Sequence, residues 1–267
     1  MRILVINPNT TAAMTDKIAL VSRSIASPGT EVVAVNPADG PPSIEGYFDE
    51  AFAVPGLIAE ITRAPAMDAY VIACFDDTGL DAARCVTGAP VVGIGEAAFH
   101  LASLVAGRFS VVTTLARSVP AIEHNLVKYG LASRCAKVRS SEVPVLDLDL
   151  PGTGARRKIS AEIARAISED RAEAIVLGCA GMADLANDLS QEHGIPVLDG
   201  VACAVALAES LFRVGLRTSK IGGYAAPRRK RFSGAFASLS PETSATPSRP
   251  LSGASAHVAD SGAGSPV

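Results

Sequence analysis

The chain has no Cys-x-x-Cys pair and no His-x-x-x-His pair, although it carries five cysteines and four histidines. Without such spacings, neither a structural zinc site nor a disulfide framework is expected of Cys74, Cys85, Cys135, Cys179 and Cys203. It has no excess of positive charge either: 24 Lys and Arg stand against 27 Asp and Glu, a formal net charge of -3. That balance provides no field for nucleic acid and no polybasic patch for a membrane surface. Apolar runs long enough to span a bilayer are missing. The opening Met1-Arg2-Ile3-Leu4-Val5-Ile6 is too short to act as a signal segment, so the expected location is the cytoplasm.

What the chain does have is a succession of short Val- and Ile-rich runs, each followed by a helix-length segment. They fall at Ile3–Ile6, Glu31–Val35, Ala69–Ala73, Val91–Ile94, Ser110–Val112, Ala174–Leu177 and Pro196–Leu198. Continuous apolar strands alternating with helices imply parallel sheets covered on both faces, an α/β fold. The pattern also repeats. Arg2–Asn7 matches Arg108–Thr113 at an offset of 106, Ala69–Cys74 matches Ala174–Cys179 at 105, and Gly88–Val91 matches Gly194–Val197 at 106. A near-constant offset implies two pseudo-symmetric, Rossmann-like domains with the active site in the cleft between them. Residues 1–97 form the expected first domain and 98–205 the second. A further helix and strand over about 206–227 return the chain to the first, which is completed by 206–236. Residues 237–267, rich in Ser, Ala, Pro, Gly and Thr, are expected to be a disordered tail.

In open parallel sheets, ligands bind at the carboxyl ends of the strands. Cys74 and Cys179 both fall there, at equivalent points of the repeat. A thiol at a strand-to-helix turn meets free backbone N–H groups and the positive end of a helix dipole, so both pKa values are expected to be lowered. The same N–H groups could hold an oxyanion. Two such thiols facing each other suit the inversion of a carbon centre, in which one group removes a proton and the other delivers one to the opposite face. Cys85, Cys135 and Cys203 lack this setting and are assigned to structure.

At these positions the chain resembles the Asp/Glu racemase superfamily, and more closely its hydantoin and allantoin racemase branch. The likeness is carried by Ile6–Thr10, Gly40–Gly46, Ile72–Asp77, Val111–Thr114 and Leu177–Met182. It implies a cofactor-independent, metal-free racemase that inverts the C5 carbon of a 5-substituted hydantoin, or the equivalent carbon of allantoin. Cys74 and Cys179 would be its acid and base. It further implies that Asn7, Thr113, Thr114 and the amides of Phe75, Asp76, Ala180 and Gly181 hold the ring, in a homo-oligomer. Pro41 and Ile44 would wall the side-chain pocket, with Glu45 as an added polar contact.

Other signals are set aside. Gly93-x-Gly95-x-x-Ala98 has the outline of a dinucleotide loop but follows a fourth strand, so close helix packing explains it. The histidines have no partner at nucleophile–base spacing, and Arg117–Pro120 is read as a helix start or domain contact. Two alternatives stand beside the racemase: a related decarboxylase or cis–trans isomerase, of which a single-cysteine decarboxylase would not need both thiols, and a non-catalytic binder of a small ligand.

Overall fold

A computed structural model describes residues 1–241. It contains two four-stranded, wholly parallel sheets. The first is built from β1 (Arg2–Ile6), β2 (Glu31–Val35), β3 (Ala69–Ile72) and β4 (Val91–Gly93), in the order β2-β1-β3-β4. Its helices are α1 (Ala12–Ile25), α2 (Tyr47–Arg63), α3 (Leu80–Val86) and α4 (Ile94–Val105). The second sheet comprises β5 (Phe109–Thr113), β6 (Cys135–Ser140), β7 (Ala174–Gly178) and β8 (Val197–Asp199), in the order β6-β5-β7-β8. The helices after β5 are α5 (Val119–Lys128), α6 (Ala155–Asp170), α7 (Ala186–His193) and α8 (Gly200–Arg213), the last of which, among the strands, packs mainly against β3 and β4 of the first sheet. The two strand orders are the same, as the repeat predicts.

Registers repeat as well. Ile6 pairs with Ile72, and its counterpart Val112 pairs with Leu177, so each cysteine lies two residues beyond the same register point. The four central strands are buried on both faces, which accounts for their unbroken apolar character. Side chains from both sheets meet in one core. Phe99 of α4 stacks on Phe109 of β5 at 6.0 Å between ring centroids and meets Phe75 edge-on at 5.4 Å. Each such fully buried ring or branched chain contributes about 1.5–3 kcal/mol.

The structure corrects the sequence reading at several points. An eighth strand, β6, was not expected, and Cys135 opens it. As an edge strand it mixes exposed Lys137 with buried Arg139 and so has no apolar run. Arg139 reaches Asp170 at 2.6 Å and Glu169 at 2.7 Å, which pairs a cation that the fold otherwise encloses. The strand expected after α8 does not form. Thr218 there donates its N–H to the Gly88 carbonyl and its hydroxyl to that of Ala89, beside the entry to β4. The only described element between α8 and residue 233 is a 3-10 turn, Gly222–Tyr224. Ile94 belongs to α4 rather than to β4. The expectation of disorder over 237–267 falls outside the described residues from 242 onward; Ala237, Ser238 and Leu239 close a 3-10 helix, Gly234–Leu239.

Among the described residues, no helix is long and apolar enough to cross a membrane.

Candidate active site between the two sheets

The carboxyl ends of β1, β3, β5 and β7 point toward one another, and the turns that leave them line a single narrow cavity. Its walls include Asn9 and Met14 after β1, Ala73–Asp76 after β3, Thr113, Thr114 and Ser118 around the end of β5, and Gly178–Ala180 after β7. Ile44 and Val145 close it from two loops. Cys74 and Cys179 therefore open onto the same space. That space is about 30 Å³, enough for a water but well short of the ~150 Å³ that accommodates a benzene-sized ring.

Each sulfur sits in a turn that is tied down from elsewhere. On the Cys74 side, the Asp77 carboxylate accepts the N–H groups of Gly95 and Glu96 at the start of α4, at 2.9 and 2.8 Å. It also accepts the Tyr129 hydroxyl at 2.7 Å. A Cβ on Gly93 would lie 2.1 Å from Asp77 Oδ1, and one on Gly95 would lie 2.4 Å from the Phe75 carbonyl oxygen. The two glycines of the Gly93-x-Gly95 pattern are thus required by the docking of the cysteine turn, not by helix packing. Asn125 of α5 donates to the Asp76 carbonyl at 2.8 Å. On the Cys179 side, Lys17 of α1 donates to the Gly181 carbonyl at 3.2 Å. Each cysteine turn is held by a helix belonging to the other sheet, and in each case through the carbonyl two residues beyond the cysteine.

Gly178 explains the small residue before Cys179. A Cβ there would lie 2.7 Å from that of Thr113, whose hydroxyl donates to the Gly178 carbonyl at 2.8 Å.

The thiol electrostatics overturn one expectation. Neither pKa is lowered. Burial pushes Cys179 up to about 12, against the opposing pull of the Gly181 amide and the Lys17 charge. Burial and the neighbouring Asp76 carboxyl raise Cys74 well above the usual thiol range, against the Thr78 hydroxyl at 3.3 Å and the Asp76 amide. The expected amides are present, but the dipoles are weak. Cys74 precedes α3 by a turn containing left-handed Gly79, and Cys179 leads into a 3-10 helix, Ala180–Leu185. Desolvation therefore wins. Burial and the nearby Glu50 carboxylate raise Asp76 to about 8, while burial raises Asp77 to about 7 in spite of its three donors.

Of the residues expected from sequence, Cys74, Cys179, Ile44, Phe75, Asp76, Thr113, Thr114 and Ala180 line the cavity. Asn7, Pro41 and Gly181 do not. Asn7 donates to Asn9 Oδ1 at 2.9 Å and to the Thr15 hydroxyl at 3.0 Å, which orders the turn that presents Asn9. Pro41 faces a separate groove beside α2, and its carbonyl accepts the Thr10 N–H. Gly181 lies just behind the sulfur, where a Cβ would come within 3.6 Å of Cys179 Sγ. Glu45 does not line the cavity; its carboxylate accepts the N–H of Val145, which does, at 2.8 Å. Arg117 lies against Gly46, in keeping with the domain contact expected of it. Asn9, Met14, Ser118 and Val145 were not anticipated. Asn9 had a signal in the Asn7-Pro8-Asn9 turn; Val145 follows the missed strand and had none. Among the described residues, no group of three or more His, Cys, Asp or Glu is placed to hold a metal ion.

Comparison with known proteins places this geometry in context. The model of the Asp/Glu/Hydantoin racemase family matches residues 3–208. A hydantoin racemase of Rhizobium meliloti is 50% identical over 236 residues, covering 88% of this chain and 98% of the relative. A solved allantoin racemase from Klebsiella pneumoniae is 49% identical with a TM-score of 0.87, covering 90% of this chain and 99% of that one. Another, from Pseudomonas fluorescens, is 45% identical with a TM-score of 0.85, covering 88% and 100%.

Proposed function

The chain belongs to the Asp/Glu/hydantoin racemase family, and from that premise we propose that it racemises hydantoins substituted at C5, using Cys74 and Cys179 as its acid and base without a cofactor. Allantoin, itself a hydantoin with a ureido group at C5, falls within this substrate class. The observation that carries the reading is that both thiols open onto one cavity from equivalent turns of two like sheets.

The C5 hydrogen of such a ring lies between a carbonyl and a nitrogen. One sulfur, as thiolate, takes that proton, and the electron pair moves into the carbonyl to give an enolate. The other, as thiol, gives its proton to the opposite face of C5, and the carbonyl re-forms. In reverse the two exchange roles. A thiol raised by burial becomes, once ionised, a stronger base, which narrows the gap to a weak carbon acid. The amides beyond each cysteine and the Thr114 hydroxyl are suited to the enolate oxygen. Asn7 supports the site through Asn9 rather than by touching the ring. The same reading assigns residues 1–97 with 206–236 to one domain and 98–205 to the other, in a cytoplasmic homo-oligomer.

The test is polarimetry on one enantiomer of a 5-alkyl hydantoin and of allantoin, with no metal or cofactor added. Optical rotation should decay to zero for at least one of them; a flat trace for both overturns the assignment. In deuterated solvent, Cys74→Ser and Cys179→Ser should each exchange the C5 hydrogen of one enantiomer only. Full racemisation by either variant would remove the two-base mechanism.

A further inference from the structure

Although the two cysteine turns match in backbone, their charged surroundings do not. Lys17, only 19% exposed, reaches across from α1 to the Gly181 carbonyl, directly behind Cys179. Its other partners, Asp149 and Asp184, are about half exposed to solvent, which screens their share of the pairing. Asp76 raises Cys179 as well as Cys74, and Lys17 works against it on the Cys179 side alone; the Glu45 carboxylate, which also raises Cys179, is turned to the Val145 N–H. On the opposite side, the equivalent position is filled by Asn125, a neutral side chain.

The Cys74 side is instead acidic. Asp76 lines the cavity beside the sulfur, and Glu50 of α2 faces Asp76 from behind. Glu50 Oε1 is buried with no donor supplied by any N–H group or hydroxyl. A carboxylate oxygen in that position is satisfied when Asp76 keeps its proton and donates it to Glu50. The pair carries one negative charge while that proton is shared and two when Asp76 ionises. Asp49 adds a further negative charge near Glu50, and Asp77 does so near Asp76. Beyond burial, Cys74 is acted on by the Asp76 and Glu50 carboxyls, which raise it, and by the Thr78 hydroxyl and the Asp76 amide, which oppose them without a cation.

We propose that Lys17 and the Asp76–Glu50 carboxyl pair make the two thiols unequal, so that in the free protein Cys179 is the sulfur that loses its proton first and Cys74 the one that stays protonated. Resting on the two-thiol reading above, this deepens it by giving the empty site a polarity. The free protein is set to accept the enantiomer whose C5–H faces Cys179. To take the other, it must first move a proton from Cys74 to Cys179. Lys17 acts here as a positioning residue, through Cys179, without touching the substrate.

The experiment is alkylation of the full chain by iodoacetamide, without substrate, over a range of pH, with each cysteine followed by peptide mapping. Labelling of Cys179 should rise at lower pH than labelling of Cys74. Lys17→Met should slow Cys179 by a few-fold at a fixed pH, because the thiolate fraction falls while the remaining thiolate is the better nucleophile, and leave Cys74 unchanged; Lys17→Arg should restore it. Asp76→Asn should speed Cys74 above pH 8, where the wild-type pair carries its second charge. Coincident pH profiles, Cys74 rising first, or equal slowing of both cysteines by Lys17→Met would each overturn the proposal. The wild-type profiles alone decide it should Lys17→Met fail to fold. Because substrate is absent, this outcome is separate from the racemisation test: both cysteines can prove essential and still label alike, which sinks only the polarity.

Discussion

Replacing Gly95 by alanine tests whether the docking of the Cys74 turn onto α4 is what holds the sulfur in place. The new methyl would stand 2.4 Å from the Phe75 carbonyl oxygen and 2.9 Å from Asp77 Oδ2. Carbon and oxygen settle near 3.3–3.6 Å, so the turn must retreat by about 1 Å. Overfilling a packed site of this kind costs about 1–3 kcal/mol. Retreat also lengthens the two bonds from Gly95 and Glu96 to the Asp77 carboxylate, each worth about 1.5–3 kcal/mol when intact. Partial loss of both brings the expected destabilisation to about 2–5 kcal/mol. At roughly 2–4 °C per kcal/mol for a chain of this size, Tm should fall by about 4–20 °C. Because the displaced atoms flank Cys74, racemisation should fall by about 10²-fold even at temperatures where the variant is fully folded. Gly88→Ala is the control, since nothing lies within 4 Å of its Cβ position. Thermal unfolding followed by circular dichroism and kcat by polarimetry supply both readouts. If Gly95→Ala matches Gly88→Ala in both, the Asp77 clamp does not position the sulfur and the reasoning fails.

Other perturbations follow from the same contacts. Tyr129→Phe removes the hydroxyl that Asp77 accepts and should cost about 1–3 kcal/mol by denaturant titration; a neutral result would mean that water replaces it fully. Asp199 caps α8 by accepting from the amides of Val201 and Ala202, so Asp199→Ala should cost about 0.5–2 kcal/mol. Folded Asp76 and Asp77 keep their protons to about pH 8 and 7, whereas in the unfolded chain they lose them near ~3.9. The folded state thus binds more protons between those limits, and stability should fall as pH rises from about 4.5 to 8. Asp76→Asn should flatten that slope, and a wild-type Tm that climbs across this window would refute the assignment. Below it the sign reverses: Glu169, held at about 2 by Arg165 and Arg139, contributes stability that is lost as pH falls toward that value.

Much of this architecture was legible before any coordinates. Strands covered on both faces are written in Val and Ile, so β1, β3, β5 and β7 could be read directly, and their constant spacing gave the duplication. The cysteines stood out because they occupy equivalent strand ends. Edge elements were harder. Strand β6 alternates polar and apolar residues and carries a charge whose burial depends on acids about 30 residues away in α6. Electrostatics was harder still. The turn amides favour thiolates as anticipated, but the size of the desolvation opposing them depends on how tightly the two sheets close. Pro41 is expected in the site because the resemblance makes the whole Pro41–Gly46 loop a wall of the side-chain pocket; the turn within it aims Pro41 and Ile44 at different surfaces.

The crossed tethers from Lys17 and Asn125 link access to readiness. Any movement that parted the two sheets to enlarge the chamber would draw each helix away from the carbonyl it grips on the far side. Such a movement would slacken both sulfur-bearing turns together, and its reversal would tighten them together.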